Sequence, residues 1–401
     1  MRTGVVTNQW RLPVPASAGV FKTLPTVREK RFSILIASIF LLGTLILYCQ
    51  ALVTERFNNF IIFRTSWTHL VEHLPLYDLY PTAYFDYYLY HPSFPVLFLP
   101  FALLPVQVGL LLWMLFNSGL VLYAVHQLPA TPKQKNIIGA LVMLEVLNAV
   151  QSSQVNPAMV ALMLLTVVNF ERRNVRLAAL FTCLCFFIKG YGAIVGILFL
   201  FYDQKQEYLK YCLIYGLIGT LLPLMVITPT ELLQTYHDWF QLISSPEIKE
   251  DGSLFATIDA FRHLPYTAST VVDKIVMGIA FAGLILALFN TARAKDSRSR
   301  WLMAAYLLIW AVIFNQATEP PTYVIAVTGA VAILVMFSHK CVTILLLTIL
   351  IFVTSLCPTD LVPKFINLIA VEYHLKSLPC LFVLLYIQSS LFFQSGKVKI
   401  D

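Results

Sequence analysis

Apolar runs of about 14 to 20 residues, parted by short polar or charged turns, recur along the chain, and a helix crossing the hydrocarbon core of a bilayer needs about 20. The runs are Ser33 to Val53, Val106 to Val125, Ile137 to Val150, Val155 to Phe170, Leu177 to Ile188, Tyr191 to Phe201, Tyr211 to Ile227, Val271 to Phe289, Trp301 to Phe314, Thr322 to Phe337, Cys341 to Leu356 and Leu381 to Phe393. Twelve crossings put both termini on one side. The two runs flanking Lys189-Gly190 are short, which leaves open a pair of tilted spans or a re-entrant hairpin buried in protein. Ser93 to Pro105 is apolar but bounded by prolines and is expected as a short helix at the outer interface. Two segments are too long for connectors, Thr54 to Pro92 and Thr228 to Thr270, and loops of that size are usually functional. The second reads as a helix from Glu231 to Ile243 followed by an irregular stretch with Gly252 and Ser253.

The expected fold is therefore an all-α polytopic membrane bundle of about 10–12 transmembrane helices with two long outer loops, residues 54–92 and 228–270. A basic N-terminus covers residues 1–32, one transmembrane domain residues 33–394, and a short tail residues 395–401. The run from Ser33, preceded by a long basic stretch, reads as a retained first span and not a cleaved leader. No soluble domain, internal repeat or low-complexity segment interrupts the pattern.

Composition agrees, because 58% hydrophobic against 12% charged residues makes lipid the solvent for much of the surface. The net charge of +7 reads as topology instead of nucleic-acid affinity. With the N-terminus inside, 20 of the 28 Lys and Arg fall inside, while fourteen of the 21 Asp and Glu fall outside, six inside and Glu145 in a span. The positive-inside rule then gives a multi-pass membrane protein with its two long loops outside. The seven cysteines lie mostly in apolar runs with no C-x-x-C pair, which points to buried hydrophobes. No P-loop, G-x-S-x-G, H-E-x-x-H or Cys/His metal spacing occurs, so nothing asks for a metal or cofactor.

The uncommon polar residues gather at the outer ends of spans. They form the loop with Glu55, Asn58-Asn59-Phe60, Asp78, Asp86 and Tyr90-His91-Pro92; the turn Gln151 to Pro157; the apex Lys189-Gly190-Tyr191; and the turn Glu319 to Tyr323. An ionisable group at membrane depth costs roughly 2.5–3.5 kcal/mol on the insertion scale, so Lys189 needs compensation. A bound phosphate, an ion pair with Glu319 or snorkelling to the headgroups would each supply it. Gln154 and Asn156 suit either a ligand or a cap for the helix starting at Pro157. The tyrosines read first as an interfacial aromatic belt, and Asp78 and Asp86 taken singly as solvated loop charges. A carboxylate in a partly dry pocket can nonetheless serve as a general base. Glu145, in mid-span, is expected to bond a neighbouring helix or line a polar cavity.

In order, Asn58-Asn59-Phe60-Ile-Ile-Phe63, Leu76-Tyr77, Tyr90-His91-Pro92-Ser93-Phe94, Gln154-Val155-Asn156 and Lys189-Gly190-Tyr191-Gly192 resemble the motifs of glycosyltransferase family 87 over about Thr54 to Phe337. These are polyprenyl-phosphate-mannose-dependent mannosyltransferases of the multispan C-type fold. The resemblance implies a hexose, mannose in that family, taken from a polyprenyl-phosphate carrier at the outer leaflet and passed to a lipid or glycan acceptor. It implies an acidic residue of the first outer loop as base. Where the family shows Asp before Phe, this chain has Asn59, and an amide cannot accept the proton. The base then falls to Asp86, Asp78, Glu55 or Glu319. Asn59, Arg64, His91, Gln154, Asn156, Lys189 and Tyr191 are the expected substrate-binding residues. Membrane lipid completes the expected partners, and nucleic acid is not among them. A catalytically silent relative that binds a lipid-linked sugar is the alternative favoured by Asn59. A transporter or flippase is the other, disfavoured by the missing repeats and by polar groups confined to one face.

Overall fold

The computed structural model describes residues 25–245, 248–265, 270–337 and 340–397. The basic N-terminus before residue 25 and the tail after 397, both assigned above to the inner side, lie outside the described residues. Among the described residues the chain is helical and free of strands. Each of the apolar runs falls on a helix. In chain order these are α1 (Val27–Thr54), α2 (Asn58–Val71), α3 (Phe94–Ala102), α4 (Val106–Gln127), α5 (Pro132–Gln151), α6 (Asn156–Glu171) and α7 (Val175–Ile188). A 3-10 helix (Gly190–Phe201), α8 (Lys205–Leu221), α9 (Pro229–Ile243), α10 (Leu254–Phe261), α11 (Val271–Ala294) and α12 (Ser297–Ile313) follow. The last are α13 (Tyr323–Met336), α14 (Lys340–Ile349) continued by a π-helical stretch to Leu356, α15 (Lys364–Glu372) and α16 (Ser377–Lys397).

Among the described residues five helices are long and apolar enough to cross a membrane, and five shorter apolar ones stand among them. Their burial sorts them into layers. α6 and α13 are buried almost residue by residue, as a helix apolar all round requires, and α12 packs with them as the centre. α1, α8 and α11 present Leu41, Leu42, Ile46, Leu217, Ile218, Ile279 and Ile285 outward, the surface that lipid covers.

The short hairpin at Lys189 is not re-entrant. α6 ends at Glu171, which takes a two-pronged pair from Arg300 at the start of α12 (2.7 and 3.1 Å) and a hydrogen bond from the Tyr202 hydroxyl (2.7 Å). Tyr202 closes the 3-10 helix, so that limb runs from Lys189 to the opposite end of the bundle. A 3-10 helix rises about 2.0 Å per residue against about 1.5 Å for an α-helix, which lets a short run reach the full depth.

Three outer features depart from the expectation. The segment after Thr54 opens with a helix, α2, because Phe60, Phe63 and Leu70 bury one face against α3. The irregular stretch at Gly252-Ser253 begins another, α10, whose first turn is capped by the Ser253 hydroxyl accepting from Ala256 N–H at 3.2 Å. The segment before the last span contains α15. A short helix is present between the prolines as α3. Glu145 bonds a neighbouring segment: Lys376 Nζ lies 3.1 and 3.3 Å from its carboxylate oxygens and 5.2 Å over the Tyr323 ring.

Candidate functional site

The turn between α5 and α6 is built by its neighbours. Ser153 takes a φ of 52°, and the exposed carbonyls of the turn are answered from other helices. Trp113 Nε1 donates to Ser153 O and Asn59 Nδ2 to Ser152 O, each at 2.9 Å. The first turn of α6 is capped by Asn117, whose Oδ1 accepts from Ala158 N–H at 3.0 Å. Gln154 and Asn156 are therefore not the caps that an Asn before Pro suggests. Gln154 is buried; its Oε1 accepts from the Tyr90 hydroxyl at 3.2 Å and its Nε2 donates to Glu319 Oε2 at 2.8 Å. Asn156 Nδ2 donates to Thr322 Oγ1 at 3.3 Å, while its Oδ1 is buried without a partner.

Lys189 stands at the corner between α7 and the 3-10 helix, half-buried. It neither snorkels nor forms a hydrogen-bonded pair with Glu319: its Nζ lies 4.9 Å over the Tyr90 ring, and the carboxylates whose charge acts on it are Glu319, Asp86 and Glu250. Tyr90 so links the lysine to Gln154. The segment that carries Tyr90 is pinned by Tyr77, whose hydroxyl donates to Tyr90 O at 2.9 Å.

Asp86 is exposed, with a φ of 82°. Asn58 fixes its place: the side chain donates to Phe85 O at 2.7 Å and accepts from Phe85 N–H at 2.9 Å, and Asp86 Oδ1 accepts from Tyr87 N–H at 2.6 Å. Its charge acts on Lys189, Tyr90 and Glu250.

The other sequence candidates divide. Tyr191 follows Lys189, its hydroxyl is buried without a hydrogen-bond partner, and the charge of Glu319 acts on it. His91 is buried among the rings of Phe186, Phe187, Tyr236 and Trp239, with centroids 4.9–5.4 Å away. Burial drives its imidazole down to about 3, and its Nδ1 accepts from Ser93 N–H at 3.1 Å, so it is a neutral packing element at this corner. Asn59 gives its amide to Ser152 O; a carboxylate there would face a carbonyl, a repulsive arrangement. Arg64 on α2 is half-buried, its Nε without a partner. Asp78 and Glu55 are exposed, and neither is among the charges acting on Lys189.

Sequence reasoning passed over Glu250. It lies half-buried in the second long segment, and burial followed by the charges of Glu319, Asp86 and Asp251 raises its carboxyl to about 7 against the pull of Lys189. Its only signal in the sequence was an acidic pair, Glu250-Asp251, ahead of Gly252-Ser253 in a long outer loop. Beside Lys189 opens a mostly apolar groove of about 420 Å³ lined by Gly190, Tyr191, Ile194, Trp310, Ala311, Phe314 and Asn315.

The charges of carboxylates from separate segments thus act on one lysine, which directly precedes Gly190 and Tyr191 of the apolar groove, at the end of the bundle away from the Glu171–Arg300 pair. A family model for glycosyltransferase family 87 matches residues 88–338. The matched range takes in Tyr90, Gln154, Lys189, Glu250 and Glu319, and leaves the Asn58-Asn59 segment outside it. No curated protein matches the chain.

Proposed function

Since the chain belongs to glycosyltransferase family 87 and is an integral membrane glycosyltransferase, we propose that it moves a hexose, mannose by family likeness, from a polyprenyl-phosphate carrier to a lipid or glycan acceptor. The site faces the extracytoplasmic side, by the charge asymmetry of the chain, of a bacterial cytoplasmic membrane. The observation that carries this reading is that Lys189 directly precedes Gly190 and Tyr191, which line the groove: a cation for a phosphate next to an apolar cleft for the chain attached to it. The isoprenoid lies along Ile194, Trp310 and Phe314, and its phosphate meets Lys189, next to Tyr191 with its unpartnered hydroxyl.

Transfer then needs a carboxylate to take the acceptor's proton while the sugar's anomeric carbon exchanges its phosphate oxygen for the acceptor oxygen with inversion. Asp86 and Glu319 are the sequence candidates whose charges act on Lys189. The leaving phosphate gains negative charge as the bond breaks, and Lys189 stabilises that charge more in the transition state than in the bound donor, which accelerates the reaction.

The test is reconstitution in proteoliposomes with polyprenyl-phosphate mannose and membrane-extracted acceptors. Sugar transfer that disappears with Lys189→Met is the expected result. Unchanged turnover in that variant removes Lys189 from the mechanism, and a wild-type protein that binds the donor without transferring sugar supports the silent relative instead.

A further inference from the structure

We propose that Glu250 takes the proton from the acceptor hydroxyl, a role that rests on the transfer reading above. Backbone pairing sets its place. Glu250 N–H donates to Gln316 O at 2.8 Å, Gly252 N–H donates to Thr318 O at 2.8 Å, and the Tyr323 hydroxyl donates to Gly252 O at 2.6 Å. This two-residue register lays residues 250–252 along 316–318, with Gly252 beside Thr318 and Glu319, and leaves Glu250 within reach of the Glu319 charge. A Cβ at position 252 would stand 2.2 Å from Thr318 O, so the close approach depends on glycine.

The charges that act on Glu250 come from separate segments: Glu319 from the turn before α13, Asp86 from the first outer segment, Asp251 beside it, and Lys189 from the α7 corner. The others are engaged. Glu319 accepts from Gln154, Asp86 from Tyr87 N–H, Lys189 lies on the Tyr90 ring, and Asp251 is 3.6 Å from His374 Nδ1. The Glu250 carboxylate has no hydrogen-bond or ion-pair partner among the described residues. It is half-buried, open enough to reach a ligand. Three carboxylates whose charges act on one ammonium cannot all hold their charge cheaply, and the unengaged one is where the proton resides. A carboxyl titrating near neutral pH suits a general base, and burial with its neighbours brings Glu250 to about 7.

The step balances. The acceptor oxygen bonds to the anomeric carbon, its proton passes to the Glu250 carboxylate, and the bond from that carbon to the phosphate oxygen breaks. The electron pair leaves with the polyprenyl phosphate, whose added charge meets Lys189.

The experiment uses membranes from cells lacking the native copy and carrying wild type, Glu250→Gln, Glu250→Asp or Asp86→Asn, supplied with radiolabelled polyprenyl-phosphate mannose. Transfer by wild type is expected to rise with pH through about 7. Glu250→Gln is expected to lose about 100-fold or more and its rising limb, while binding polyprenyl phosphate as wild type does. Glu250→Asp should recover part of the rate. Wild-type rate and pH profile in Glu250→Gln, with transfer lost in Asp86→Asn, would overturn the assignment and leave the transfer reading intact; no transfer by wild type overturns both. If Glu250→Gln fails to assemble, infrared titration of the wild-type protein decides, and a spectrum without a carboxyl titrating near neutral pH rejects Glu250 as the base.

Discussion

Gln154 holds Glu319 by a 2.8 Å hydrogen bond across two turns that are far apart in the chain, and its other end accepts from Tyr90. Its two polar atoms are thereby committed to orienting an acid and a phenol around Lys189. Gln154→Ala leaves both without that partner, and a buried polar group stripped of its partner costs about 1–3 kcal/mol. The expected result is a lower melting temperature in detergent together with lost transfer. Gln154→Glu should place two carboxylates against each other, so that variant melts lowest at neutral pH and recovers on acidification.

Lys189 is expected to act on the phosphate as a point charge. Lys189→Met should weaken binding of polyprenyl phosphate and abolish transfer, while Lys189→Arg keeps binding but loses rate, because a planar guanidinium places its charge differently. Separate measurement of KM and kcat distinguishes the two effects.

The acid limb of activity should come with a matching stability trend of opposite sign. Glu250 is raised from 4.5 to about 7 in the folded protein, so between those values the folded state holds a proton that the unfolded chain has released. Its contribution is present below about 4.5 and is lost as pH rises through about 7. Thermal melts of wild type should therefore fall relative to Glu250→Gln over that window, and parallel curves would contradict the raised value.

Gly252→Ala is expected to unzip residues 250–252 from 316–318, since the new methyl group meets a backbone oxygen that cannot rotate away. Overpacking of this kind costs about 1–3 kcal/mol. Transfer should fall with the bundle otherwise intact, and limited proteolysis should cut the second outer segment faster than in wild type.

The buried pair Glu145–Lys376 ties α5 to the entry of α16, and Lys376 also rests on the Tyr323 ring. Breaking one partner strands the other charge, at about 3–5 kcal/mol. Lys376→Met should therefore destabilise strongly, and Glu145→Leu combined with Lys376→Met should restore most of the loss in detergent melts. Additive losses would show that the two residues act independently.

Much of the site was legible as residue types at the ends of spans. Lys189, Glu319, Gln154 and Asp86 stood out because a charge or amide beside an apolar run is expensive. What they do was less so. An Asn before Pro signals a cap, yet Asn117 from another helix caps α6 and frees Gln154. Lys189 and Glu319 suggest an ion pair, yet Glu319 is held by Gln154 and the lysine lies on a ring. Glu250 looked like one of many solvated loop acids, since nothing local distinguishes it.

The sequence by itself determined an all-helical membrane bundle and the polar residues at the ends of its helices, because the length of an apolar run and the cost of burying charge act through residues near one another in the chain. The tertiary structure alone decided that Glu250 is among the acids whose charge acts on the lysine. That choice depends on two backbone hydrogen bonds between segments 250–252 and 316–318, and backbone pairing leaves almost no mark on side-chain identity beyond the glycine that permits it.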